Sequence, residues 1–143
     1  FSFFFLSFFL GLNVLNNVDN VTVEGCSATE NRRHGIVVAG TRARVMHSVF
    51  SRNGGSGLRL ASSSSMVQNC TVTSNEEAGV TVVNSAAGVQ IFNSVISHNV
   101  RNGLTIGAAS AELRGNVIEH NGRDGLFLEP GAAHSLVISN TFR

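Results

Sequence analysis

The sequence predicts an all-β solenoid, a parallel coil of about five turns with 22–24 residues and three short strands in each. Two observations predict it. The unit Asn-x-x-x-Gly-apolar-x-apolar recurs five times, with successive Asn spacings of 22, 22, 24 and 22. Between these units the residues alternate apolar and polar, the signature of strands with one buried face. Composition agrees. Hydrophobic residues make up 43% and charged residues 13% of the 143, which excludes a disordered chain. The formal net charge of +1 leaves no basic field for nucleic acid. All ten basic residues are arginine, and tryptophan and tyrosine are absent.

The opening segment, residues 1–19, is rich in phenylalanine, with six of the ten in Phe1–Leu12. It is too short to span a bilayer, which takes about 20 apolar residues. Its length suits the apolar region of a secretory signal or a membrane-segment remnant. An apolar cap over the end of a stacked core is the alternative. Residues 20–143 carry the coil, and Ser139–Arg143 fall inside an unfinished unit. Further turns of the same parent chain are expected.

Each turn opens on a first strand centred on Val23, Val45, Val67, Ile91 and Leu113, with Val137 opening a sixth turn. A second strand follows, centred on Ala28, Phe50, Val72, Ile96 and Ile118. The corner between them carries Cys26, Ser48, Cys70, Ser94, Asn116 and Asn140. Cys26 and Cys70 sit two rungs apart, about 10 Å by strand spacing. A disulfide needs Cα atoms within about 7 Å, so both are expected as free thiols.

The ladder corner comes next. Asn31, Asn53, Asn75, Asn99 and Asn121 are expected to bond up and down their column, with tolerance of the left-handed region. Gly35, Gly57, Gly79, Gly103 and Gly125 are expected to take positive φ. The third strand then reads apolar-x-apolar. The last corner varies, with seven residues from Leu60 to Val67 and nine from Val82 to Ile91. Extra residues there should bulge outward, where functional loops usually sit. Repeats of this kind bury a core only by stacking, which defines a parallel β-helix.

These columns resemble the repeats of right-handed parallel β-helix proteins, the pectate-lyase-like superfamily and the NosD-like carbohydrate-binding and sugar-hydrolase repeats. The resemblance covers about residues 20–143. It implies the fold and leaves three functions open. The first is a noncatalytic module of a secreted or surface protein that binds a carbohydrate polymer. The second is part of a polysaccharide lyase, hydrolase or epimerase whose catalytic turns lie outside this piece. The third is an intracellular protein-interaction solenoid of the F-box type. The first is favoured, with a polysaccharide or glycan partner, no cofactor, and an extracellular or periplasmic location.

The outer face of the first strand is the candidate surface: Arg44, Gln68, Gln90, Glu112 and Arg114. Glu24 and Glu112 are four rungs apart, about 19 Å by strand spacing. Glycoside hydrolysis wants two carboxyls about 5–10 Å apart, so they do not form that pair. His98 and His120 occupy one column on adjacent rungs and are weak metal candidates, since a site needs three or four ligands. Glu77 and Arg101, neighbours in another column, are expected to form a surface ion pair.

Overall fold

The computed structural model describes residues 11–14 and 18–143. The opening Phe-rich run, residues 1–10, lies outside the described residues, and with it the reading as signal or cap. The described chain is a parallel solenoid of three six-stranded sheets. Sheet I holds the first strand of each turn: β2 (Thr22–Glu24), β5 (Arg44–Met46), β8 (Met66–Gln68), β11 (Gln90–Phe92), β14 (Glu112–Arg114) and β17 (Leu136–Ile138). Sheet II holds β3 (Ser27–Thr29), β6 (Val49–Ser51), β9 (Thr71–Thr73), β12 (Val95–Ser97), β15 (Val117–Glu119) and β18 (Thr141–Phe142). Sheet III holds β1 (Leu12–Val14), β4 (Ile36–Val38), β7 (Leu58–Leu60), β10 (Val80–Val82), β13 (Leu104–Ile106) and β16 (Leu126–Leu128). The 18 strands make six turns, one more than the five full repeats. β1 pairs with β4, Leu12 opposite Ile36, so the ladder reaches into the opening segment.

Every strand is two or three residues long, and the pleat decides which side chains go inside. Sheets I and II bury their middle residue, for example Val45 and Phe50. Sheet III buries both flanks and turns its middle residue outward, as at Leu58–Arg59–Leu60. That difference is why only the third strand reads apolar-x-apolar. Each apolar column is continuous, and Val67, Ile91 and Leu113 are 0% exposed in theirs. Burial of such a side chain contributes about 1.5–3 kcal/mol, so stacking of turns supplies the stability that no single turn has.

The ladder asparagines bond along their column as expected. Asn53 Nδ2 donates to Asn75 Oδ1 at 2.9 Å, and Asn75 Nδ2 to Asn99 Oδ1 at 2.9 Å. Asn53, Asn75, Asn99 and Asn121 also reach back, as Asn75 Nδ2 does to Phe50 O at 3.1 Å. The Oδ1 atom accepts a second bond from a backbone N–H, as from Asn53 to Asn75 at 3.0 Å. A buried amide is thus fully satisfied at each inner rung. Asn116 and Asn140 repeat the device in the other corner, with Asn116 Nδ2 donating to Asn140 Oδ1 at 2.8 Å. Cys26 and Cys70 occupy that column as thiols, with no disulfide between them. There Ser48 and Ser94 Oγ accept the N–H groups of Cys26 and Cys70, each at 3.1 Å.

Two expectations about the corners are corrected. Gly35, Gly57, Gly79, Gly103 and Gly125 do not take positive φ, and neither do the ladder asparagines. The residue before each ladder Asn does: Glu30, Arg52, Ser74, His98 and His120, with φ between 53° and 59°. Glycine is needed for space. A Cβ on Gly103 would stand 2.7 Å from Asn121 Nδ2 and 2.6 Å from Gly125 O. The amide ladder and the next backbone fill the volume that a side chain would claim.

Each of the three corners has one left-handed residue per turn, and 14 of these residues are not glycine. The strain is about 1–2 kcal/mol for such a residue. It is offset in part because its N–H donates to the next rung, as from His98 to Glu119 O at 3.2 Å. None is β-branched, the type that resists this conformation most. The longer corner after Val82 is absorbed without loss of register. Ala86 N–H donates to Val83 O at 2.9 Å, and Ala86 tucks fully inside.

Candidate functional site

Sheet I sets Arg44, Met66, Gln90 and Glu112 in one outward column, because their Cα atoms pair in register. Met46, Gln68, Phe92 and Arg114 form the neighbouring column. The five expected surface residues therefore share one face but fall into two groups. Gln90, Glu112 and Arg114 are joined. Gln90 Nε2 donates to Glu112 Oε2 at 3.3 Å, and Arg114 donates to Glu112 Oε1 from Nη2 at 2.6 Å and from Nε at 3.1 Å. Arg114 is thus spent on a neighbour two residues away along its own strand. Arg44 stands two rungs from Gln90, with Met66 between them.

A hollow of about 530 Å³ opens beside this face, and Arg44, Met46, Met66 and Gln90 line it. Its rim is the variable corner, where Arg42 and Asn20 contribute. Arg42 Nε donates to Asn20 Oδ1 at 2.9 Å, and Thr41 donates to Asp19 through both N–H and Oγ1. Those bonds from Thr41 hold the Asp19 carboxyl below the usual range, with Arg42 adding to them. Gln68, Glu112 and Arg114 do not line the hollow. Met46 and Met66 read as outward positions of the first strand but were not part of the candidate surface, and Arg42 lies in the corner before β5. The signal for the methionines was present in the outward positions that flank Val45 and Val67. Glu24 and Glu112 lie four rungs apart, as the spacing required.

His98 and His120 stack, with ring centroids 5.1 Å apart and planes 15° from parallel. Among the described residues no group of three or more His, Cys, Asp or Glu stands ready to hold a metal ion. The expected ion pair of Glu77 and Arg101 is not formed among the described residues. Their backbones are rung neighbours, with Arg101 N–H donating to Glu77 O at 3.2 Å, but the side chains are not joined. Glu77 acts on His34 instead. Burial lowers the His34 pKa, and the Glu77 carboxylate opposes that shift.

A second groove, of about 250 Å³, crosses sheet III. Its floor is Thr81, Thr105 and Phe127, the middle residues of β10, β13 and β16. Arg101 and Arg123 line it from the ladder corner, and Glu129 from the variable corner. These positions could have been found from the middle residue of each apolar-x-apolar unit.

Residues 11–143 match the family described as periplasmic copper-binding protein (NosD). The chain belongs to that family, within the right-handed parallel β-helix proteins. Solved structures agree. Pectate lyase Pel9A is similar with a TM-score of 0.69 and 16% identity, over 85% of this chain and 35% of that one. The periplasmic alginate epimerase AlgG gives 0.62 and 10%, over 90% of this chain and 46% of that one. The A-module of the Azotobacter vinelandii mannuronan C-5 epimerase AlgE4 gives 0.61 and 17%, over 93% and 54%. At these identities the likeness is one of fold. The chain spans about a third to a half of the length of these structures. No curated protein matches the chain.

The family description carries copper, and among the described residues no group of three or more His, Cys, Asp or Glu would hold it. His98 and His120 supply two imidazoles with no third ligand of the metal-binding types grouped with them. The Cys70 thiol is buried, and burial pushes it up to about 11, so it stays protonated near neutral pH. A metal-bound sulfur is a thiolate.

Proposed function

We propose that this chain is a noncatalytic polymer-binding module that holds a polysaccharide across the rungs of sheet I. The observation that carries the reading is the hollow that Arg44, Met66 and Gln90 line together on three successive rungs. A rigid parallel ladder repeats its outward side chains about every 4.8 Å, which suits several weak contacts along an extended chain. Gln90 and Arg44 supply hydrogen bonds, and the methionines supply an apolar floor. The structural neighbours named for pectate, alginate and mannuronan support a glycan as partner. The periplasmic wording of the family and of AlgG supports a periplasmic or extracellular location.

The test is binding of the full chain to an acidic polysaccharide, by calorimetry, with Arg44→Ala combined with Gln90→Ala, two residues that line the hollow. The expected result is a loss of about tenfold, in the range for charged hydrogen bonds. Unchanged binding would remove sheet I from the reading. A second reading makes these turns part of a lyase or epimerase. It is favoured by the lyase and epimerases among the neighbours, and release of unsaturated or epimerised sugar by this chain would establish it.

A further inference from the structure

The groove on sheet III holds an unused pair of charges. Arg101 and Arg123 stand on adjacent rungs, with Arg123 N–H donating to Arg101 O at 3.2 Å. Both side chains are exposed, and neither forms an ion pair among the described residues. Two like charges held one rung apart favour an anion that meets both, and the guanidinium fork suits a carboxylate best. The floor beside them is built for a ring with hydroxyls. Phe127 is 44% exposed and lines the groove. Asn102 Oδ1 accepts from Asp124 N–H at 3.3 Å, which fixes the amide so that Nδ2 donates to Thr105 Oγ1 at 3.1 Å. The Thr105 hydroxyl proton is then left to donate outward. With its amide turned to satisfy both of its atoms, Asn84 would donate from Nδ2 to Glu129 Oε2 at 3.2 Å and steady that carboxylate as an acceptor.

We propose that this groove binds one carboxylated sugar unit of a glycan. The carboxylate bridges Arg101 and Arg123, the apolar face of the ring lies on Phe127, and ring hydroxyls meet Thr105 and Glu129. Glu77 and Glu129 make the groove formally neutral, with two acids against two arginines. It therefore selects a single charge at a fixed place in preference to a dense polyanion. The proposal extends the glycan reading to a second face and rests on that reading for the polymer class.

The test titrates the full chain with a short oligouronate, its carboxyl-reduced neutral counterpart, and inorganic phosphate. Arg101→Gln combined with Arg123→Gln should weaken oligouronate binding by about tenfold or more, with an unchanged melting curve. Phe127→Leu should weaken it by a few-fold, and the reduced oligosaccharide should bind the unaltered chain about tenfold more weakly. Unchanged affinity in the double arginine variant overturns the proposal. So does equal affinity for the reduced oligosaccharide, or phosphate binding as tightly as the sugar. Loss of binding on Arg44→Gln alone would leave the sheet I reading standing and overturn this one. Failure of both oligosaccharides to bind would overturn both.

Discussion

At the residue scale, the corners are governed by contact distance more than by backbone freedom. Gly103 sits where a Cβ would meet Ile118 Cγ2 at 2.5 Å and Asn121 Nδ2 at 2.7 Å. Gly103→Ala is therefore expected to lower the melting midpoint by several degrees, by displacing a ladder amide. A midpoint equal to that of the unaltered chain would contradict the close-approach explanation. Cys70 gives a second residue-scale prediction. Its thiol has a folded pKa of about 11 against an ordinary value of 9.0, because burial penalises the thiolate. Stability from this group is full below pH 9 and falls as pH rises from 9 toward 11. The chain has no lysine or tyrosine, so few other groups titrate in that window. The loss should be on the order of 2 kcal/mol in denaturant titrations. Cys70→Ser, which matches Ser48 and Ser94 in the same column, should flatten the decline; an equal slope in both chains would contradict it.

At the element scale, the ladder is the cooperative unit. Removing the Asn75 side chain takes one hydrogen bond from each of four buried groups: Asn53 N–H and Asn53 Nδ2 lose their acceptor Oδ1, and Phe50 O and Asn99 Oδ1 lose the Nδ2 donor. Asn75→Ala is expected to destabilise by on the order of 3 kcal/mol. Asn31→Ala should cost clearly less, since Asn31 Oδ1 accepts no hydrogen bond among the described residues. Equal losses in urea denaturation would show that the ladder does not act through those bonds. The ladder was legible in the sequence because Asn and the apolar columns repeat by identity or by size. The left-handed positions were not, because Glu30, Arg52, Ser74, His98 and His120 share a backbone conformation and no side-chain chemistry. Nor was the Arg114–Glu112 pair, which depends on two side chains of one short strand folding toward each other.

At the scale of the whole molecule, three sheets leave three outward faces, and the two proposed binding faces differ in what their middle or flanking residues carry. The sheet I face was legible as a set of aligned polar positions, and the structure keeps them on one face. Met46 and Met66 were legible as outward positions, but the hollow was not, because it forms only where the corner carrying Asn20 and Arg42 stands beside the strand face. The sheet III groove was hidden for a different reason. Its middle column runs Val37, Arg59, Thr81, Thr105 and Phe127, with no repeating type to mark it.

The most direct measurement follows the Nε–Hε signals of the ten arginines by nuclear magnetic resonance while an acidic oligosaccharide is added to the full chain. Arginine is the only basic residue besides histidine, so these signals sample every strong cation on the surface. Arg44 on sheet I and Arg101 and Arg123 on sheet III are expected to shift in a saturable way. Arg52, held by Glu30 at 2.9 Å, is expected to stay in place. Silence at Arg44, or equal small shifts at every arginine including Arg52, would contradict a built polymer-binding face.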